Sequence, residues 1–220
     1  MINNIYMIFS IGGQIGVGKS TIIEKIKKVL DNKNFIYLSE PVEEWISIKD
    51  KDGINPLEHF YKNPKQYAFN FQILAFITRL TQLQNAKKQK KEPEFIITER
   101  SLEEDKYVFA ELLHEEGFIN EIELKSYNLW FETQAVLPDF NIFLKASPEV
   151  CFERIKNRNR PEEQTLTLDY LKSLDKKYEN LLNKTQRKYV VIDTENKEPG
   201  EIACEVIQNI FIYYHQNMKN

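Results

Sequence analysis

The sequence predicts an α/β protein of three layers, a five-stranded parallel sheet flanked by helices. Three observations predict it. Five short apolar, β-branched segments recur along the chain, each separated from the next by a longer stretch of helical periodicity. Four of the seven glycines crowd into Gly12-Gly13-Gln14-Ile15-Gly16-Val17-Gly18, between the first apolar segment and the first helical stretch. Helix-opening signals (Asn63-Pro64, Ser101-Leu102-Glu103-Glu104, Ser147-Pro148) stand where helical stretches begin. Strands that alternate with helices pair in parallel through right-handed crossovers.

In order, the first strand reads as Ile5–Ile11 and the helix after the glycines as Ile22–Leu30. Asn34–Ser39 is the second strand. Asn63-Pro64 opens a helix to about Lys90, and the run Lys87-Lys88-Gln89-Lys90-Lys91-Glu92-Pro93 reads as its solvated end and a turn. Phe95–Thr98 is the third strand. The Ser101–Glu104 capping box opens a helix to about Glu116, and Ile119–Val136 forms another. Phe140–Leu144 is the fourth strand, followed by a helix from Ser147-Pro148 to about Arg158 and one over Leu168–Asn183. Tyr189–Ile192 is the fifth strand, and Pro199–His215 the last helix.

Length allows one domain spanning 1–220 with a full core. A net charge of −3 gives no global basic field, so no nucleic-acid partner is expected. The two cysteines, Cys151 and Cys204, lack metal-ligand spacing and read as reduced thiols. The apolar N-terminus carries no basic n-region and no Arg-rich transit segment, so a cytoplasmic protein without membrane attachment is expected.

From Gly13 the glycine run reads G-x-x-x-x-G-K-S, a P-loop of Gly13, Gln14, Ile15, Gly16, Val17, Gly18, Lys19, Ser20 and Thr21. Glycines let the backbone turn with positive φ and bring N–H groups close to an anion, and the helix that follows adds its positive end. Lys19 would reach β- and γ-phosphates, and the Ser20 hydroxyl would hold Mg²⁺. A chance Gly-rich turn is the alternative; the strand–loop–helix frame favours a bound nucleoside triphosphate.

Ligands in such sheets sit beyond the C-terminal strand ends, and chemistry-bearing residues follow the other strands too. Glu40, after the second strand in Glu40-Pro41-Val42, would face the γ-phosphate and accept a proton from an attacking hydroxyl. After the third strand, Glu99 would hold Mg²⁺ and Arg100 would clamp the transferring phosphoryl or the acceptor oxygen. Each alone also reads as a loop acid, surface pair or cap. Gln72, Ala75 and Arg79 share one face of the helix from Pro64, whose aromatics are Tyr67, Phe69, Phe71 and Phe76. That face is either a nucleobase reader or the polar stripe of an amphipathic helix. Arg154 and Arg158 share a face, and Arg160 follows where the helix should fail before Pro161. They form either an arginine-rich lid that neutralises transferred charge or a solvated basic helix end.

Together, Gly13–Thr21, Glu40-Pro41-Val42 with Trp45, Phe60-Tyr61, Phe71-Gln72, Glu99-Arg100-Ser101, Asp105 and Arg154 through Gln164 resemble the cellular deoxynucleoside kinases. That family comprises the deoxycytidine, deoxyguanosine and deoxyadenosine kinases and the insect multisubstrate enzyme, and the likeness runs over nearly the whole chain. It implies the P-loop kinase fold with an Arg-rich lid at about 154–166, ATP as donor, Mg²⁺ as cofactor and a homodimer. It implies Glu40 as base on the sugar 5′-hydroxyl with Arg100 beside it, and Tyr61 and Glu163 on the 3′-hydroxyl. Gln72 would pair with the base, with Trp45, Phe71 and Ile15 lining the pocket. Ser20 and Glu99 would serve Mg²⁺, and Arg154, Arg158 and Arg160 would form the lid. One departure is visible: the family usually has Glu-Gly-Asn where this chain has Gly12-Gly13-Gln14, which bears on packing under the loop.

Members accepting deoxycytidine or purine deoxynucleosides resemble this chain in pairing an arginine with an aspartate, here Arg79 and Asp105. Thymidine-accepting members tend to have apolar residues there, which leave room for the 5-methyl group. Asp105 can accept from an exocyclic amine, which thymidine lacks, so a site built on that bond disfavours thymidine. The choice among cytosine, adenine and guanine stays open. Two rivals remain at this level. A thymidylate kinase-like monophosphate kinase shares loop and lid, but Glu40 would repel its anionic acceptor. A nucleotide-binding switch has no use for a closed acceptor pocket of Tyr61, Gln72 and Glu163. The apolar residues Tyr107, Phe109, Leu112, Leu113, Leu129, Trp130 and Phe131 supply either a dimer surface or core.

Overall fold

The computed structural model describes residues 6–30, 34–88 and 95–217. Its strands are β1 (Met7–Gly12), β2 (Phe35–Leu38), β3 (Phe95–Glu99), β4 (Phe140–Lys145) and β5 (Tyr189–Asp193). They form one sheet in the order β2-β3-β1-β4-β5, parallel throughout. Every residue of β1 is buried, as an apolar run covered on both faces requires. Register sets Ile11 beside Glu99 and Gly12 beside Phe143, so the loops after β1, β3 and β4 leave the sheet side by side.

The helices are α1 (Lys19–Val29), α2 (Val42–Ser47), α3 (Pro56–Lys62), α4 (Pro64–Lys88), α5 (Leu102–Glu104), α6 (Glu111–Glu115), α7 (Glu121–Gln134), α8 (Pro148–Arg158), α9 (Leu168–Lys184) and α10 (Pro199–Asn217). Alternation along the strands covers both faces of the sheet. Phe9 and Phe95 meet Tyr213 and Tyr214 of α10 edge-on, at 5.9 and 5.0 Å. Ile8 and Ile96 point the other way, onto Leu83 and Ala86 of α4. A second apolar cluster, with Trp45, Phe60, Phe71, Phe76 and Tyr127, joins α2, α3, α4 and α7.

The predicted α/β class, parallel sheet and five strands stand. The reading differs from the structure in three places. The first helix begins at Lys19 rather than Ile22, because Gly18 turns left-handed (φ 105°) and hands the chain straight into the helix. Residues 42–62 carry no regular apolar period, yet hold α2 and α3, each too short to show one. The helix expected from Ser101 to about Glu116 is interrupted by a π-helical stretch at Asp105–Ala110. Of the apolar residues between 101 and 136, Leu112, Leu113 and Phe131 are core, whereas Leu129 and Trp130 are exposed. The first residue of the predicted first strand (Ile5), the predicted helix end at Lys90 and most of the charged run to Pro93 lie outside the described residues.

Candidate active site

The glycine run forms a cradle. Gly13, Gly16 and Gly18 all have positive φ (129°, 83° and 105°). A Cβ at Gly16 would lie 2.5 Å from the carbonyl oxygen of Cys151 in α8, so the close approach admits only glycine. α1 opens with no side-chain cap and no acid in its first turn, which leaves its positive end available to an anion. Lys19 curls over the loop, its Nζ donating to the carbonyls of Gly13 and Gln14 at 3.0 Å each. Burial lowers its pKa to about 8, with Arg100 pushing the same way and Glu99, Glu40 and Glu104 opposing. The Ser20 hydroxyl donates to Glu99 Oε1 at 2.9 Å, which places two hard oxygen ligands at the mouth of the cradle.

Glu40 follows β2 and faces this mouth. Its Oε1 accepts from Arg79 Nη2 at 2.6 Å and from Arg100 Nη1. Burial would raise the Glu40 carboxyl, but the two guanidiniums outweigh it and hold the pKa at about 2. Arg100 has a left-handed backbone (φ 65°), unusual for a residue with a side chain. Two hydrogen bonds fix it there: its N–H donates to Ile11 O at 3.0 Å, and its carbonyl accepts from Thr98 Oγ1 at 2.8 Å.

Across from the loop, α2, α3 and α4 build an aromatic slot. Phe60 stacks on Phe71 (centroids 5.0 Å, 11° between planes), and Trp45 meets Phe71 edge-on at 5.1 Å. Trp45 is held by its Nε1 donating to Thr78 Oγ1 at 2.9 Å. Gln72 is buried, and its amide bonds to none of the described residues. Arg79 is pinned three ways: to Glu40, to the Glu99 carbonyl (2.6 Å) and to Asp105 Oδ2 (Nε at 3.0 Å). Burial raises Asp105 to about pKa 6 against the pull of Arg79 and Arg100.

One cavity joins these groups. It is lined by Ile15, Gly16, Gly18, Lys19, Ser20, Thr21, Glu40, Trp45, Tyr61, Phe71, Gln72, Arg79, Glu99, Arg100, Asp105, Arg158, Arg160 and Glu163, all singled out in the sequence. Four of the candidates do not line it. Gly13 and Val17 are buried within the loop, and Gln14 Nε2 donates to the Ala146 carbonyl at 3.0 Å, an anchor to the end of β4. Arg154 donates to Val17 O (3.2 Å) and to Thr194 Oγ1 and O (3.1 and 2.8 Å), so it braces the loop from behind. Sharing a helix face with Arg158 is therefore not enough to bring Arg154 to the cavity. Arg158 Nη2 donates to both Glu163 oxygens at 2.7 Å, and Arg160 lies 3.7 Å from the same carboxylate. Sequence reasoning missed Leu57 and Tyr170 in the wall and gave Phe109 no place there. Leu57 follows Asn55-Pro56, a cap signal as plain as Asn63-Pro64; nothing local marks Tyr170.

A phosphate cradle, a carboxylate gripped by two arginines and an aromatic slot, joined in one cavity on a parallel α/β sheet, define a P-loop phosphotransferase for a small planar acceptor. The model of the family described as deoxynucleoside kinase matches residues 9–211, and the chain belongs to that family. A probable deoxycytidine kinase of fowlpox virus is 38% identical over 178 residues, 79% of this chain and 71% of that protein. Human deoxycytidine kinase is 34% identical over 198 residues, covering 80% and 75%. The mitochondrial deoxyguanosine kinase of Xenopus laevis is 32% identical over 194 residues, covering 80% and 72%. Among solved structures, deoxyadenosine kinase from M. mycoides, described with products dCMP and a flexible dCDP bound, aligns with TM-score 0.76 at 29% identity. It spans 94% of this chain and 100% of that one. This chain is thus a kinase of small-molecule nucleosides. Among the described residues, no helix is long and apolar enough to cross a membrane.

Proposed function

We propose that this protein transfers the γ-phosphate of ATP to the 5′-hydroxyl of a deoxynucleoside, deoxycytidine or a purine deoxynucleoside in preference to thymidine. The observation that carries the reading is Glu40. It sits between Lys19 of the phosphate loop and the Gln72 slot, in one cavity, with Arg79 and Arg100 on its oxygen. A nucleoside whose base lies in the slot presents its 5′-hydroxyl to this carboxylate. With a pKa near 2 in the free protein, Glu40 is a weak base, suited to orienting the hydroxyl and taking its proton late. That timing fits the loose, metaphosphate-like transition state of phosphoryl transfer. Arg100 then offsets charge at the acceptor oxygen, while Lys19, Arg158 and Arg160 offset it on the transferred group.

Ser20 and Glu99 fit Mg²⁺ as oxygen ligands 2.9 Å apart. When bound, Mg²⁺ neutralises charge across the β- and γ-phosphates. Tyr61 and Glu163, both in the cavity wall, are read as partners of the 3′-hydroxyl. Gln72, Arg79 and Asp105 read the base edge, with Asp105 accepting from an exocyclic amine.

The whole of 1–220 is read as one domain of a cytoplasmic enzyme. The exposed Ile122, Leu129 and Trp130 of α7 are read as the surface of a homodimer. A coupled assay with ATP, Mg²⁺ and deoxycytidine tests the reading. Glu40→Gln, which keeps the shape of the site, should lose turnover while still binding ATP.

A further inference from the structure

We propose that Glu104 is the positioning residue of the phosphate loop, supplying from beside the sheet a carboxylate for which β1 has no room at position 12. Glu104 is fully buried (0% exposed). A buried carboxylate is costly unless its oxygens are satisfied, and here three donors converge on it. Oε1 accepts from the Ser101 N–H at 3.1 Å, closing the capping box of α5. Capping does not account for Oε2, which accepts from the Gly13 N–H at 3.1 Å and from the Tyr178 hydroxyl of α9 at 2.8 Å.

Gly13 is the hinge between β1 and the cradle, and its carbonyl is one of the two that Lys19 Nζ grips. Glu104 therefore sets the peptide that in turn sets the lysine. Position 12 is explained by the same contact. Gly12 is the last residue of a strand, without left-handed backbone, so nothing in its own conformation demands glycine. Yet a Cβ there would lie 2.5 Å from Glu104 Oε1 and 2.7 Å from its Cδ. Gly12 and Glu104 are a matched pair: one leaves the space that the other's carboxylate fills. An aspartate at position 12 would carry its oxygens about as far from its Cβ as those of Glu104 lie from that point.

This inference rests on reading the loop as the ATP site. The test compares wild type with Glu104→Ala, Glu104→Gln and the double variant Gly12→Asp/Glu104→Ala. It measures ATP binding by calorimetry, the KM for ATP and for deoxycytidine, and kcat. Misplacing the loop by a fraction of an ångström to an ångström should cost Glu104→Ala about 10–100-fold in kcat/KM for ATP, with the deoxycytidine KM within twofold of wild type. The double variant should recover most of that loss, which a merely structural role for Glu104 does not predict. If Glu104→Ala fails to fold, Glu104→Gln keeps the volume and sets an amide N–H against the donors, and the same split between substrates is expected. Wild-type ATP parameters in a folded Glu104 variant would overturn the inference, as would a folded double variant no better than Glu104→Ala. A wild type that binds no ATP would bring down the ATP-site reading and this inference together. Normal wild-type binding with unaffected Glu104 variants would sink this inference alone.

Discussion

Arg79 donates to Glu40 at 2.6 Å, so the helix that walls the aromatic slot also grips the carboxylate that faces the phosphate loop. The same guanidinium reaches Asp105 at 3.0 Å. On the proposed reading, base recognition and phosphoryl transfer share one side chain. Substitutions that alter base choice should then alter turnover as well.

Base choice follows from that sharing. Replacing Arg79 and Asp105 together with Met and Ala removes a buried pair and makes room for a 5-methyl group. The ratio of kcat/KM for thymidine to that for deoxycytidine should rise, while kcat falls for every substrate because Glu40 loses one partner. Asp105→Ala alone should be milder than Arg79→Met alone. The first leaves Arg79 paired with Glu40 and the Glu99 carbonyl; the second strands Asp105. An unchanged ratio in the double variant, from steady-state kinetics on both nucleosides, would refute this account of selectivity.

Glu40→Gln should lower kcat by roughly 10²–10⁴. The amide can still accept from Arg100 and Arg79 through its oxygen, so fold and ATP affinity should survive. Near-normal turnover would remove Glu40 from the mechanism.

The arginines of α8 and the lid should separate by effect. Arg158→Ala removes a cavity residue and should cut kcat at least roughly 10²-fold with little change in the thermal midpoint of the unliganded protein. Arg154→Ala strips a brace from Val17 and Thr194 and should lower that midpoint as well. Thermal melts alongside kinetics decide it: equal midpoints for the two variants would contradict the assignment.

The pH profile of kcat/KM should be bell-shaped, since it reports the free enzyme. Asp105, raised to about 6, must be ionised to accept a hydrogen bond from the exocyclic amine of the nucleobase, so activity should rise with pH through that value. Lys19, lowered to about 8, must stay charged, so activity should fall above it. Bound phosphates favour the charged lysine and should move the alkaline limb of kcat itself to higher pH. Asp105→Ala should lose the acid limb and keep the alkaline one.

Much of this arrangement was legible because it is local. The glycine spacing, the Ser101–Glu104 capping box, the acid after β2 and the acid that ends β3 lie at strand ends, where a parallel sheet gathers its ligands. What was not legible depends on lateral packing. Helices of six and seven residues, α2 and α3, span too few turns for a period to emerge. The π-helical stretch that carries Asp105 and Phe109 to the cavity has no residue signature. Arg154 and Arg158 share a helix face, and only the loop behind one and the cavity before the other tell them apart. The contact of Glu104 with Gly13 joins residues 91 apart in the chain.

The most direct test of the central claim is a steady-state panel of deoxycytidine, deoxyadenosine, deoxyguanosine and thymidine with ATP and Mg²⁺, read as kcat/KM with the product identified. The account predicts 5′-monophosphates from deoxycytidine or a purine deoxynucleoside, with thymidine lower by a wide margin, up to roughly 10⁴-fold where hydrogen-bond partners go unpaired. Thymidine as the preferred substrate, or phosphorylation only of a nucleoside monophosphate, would contradict it.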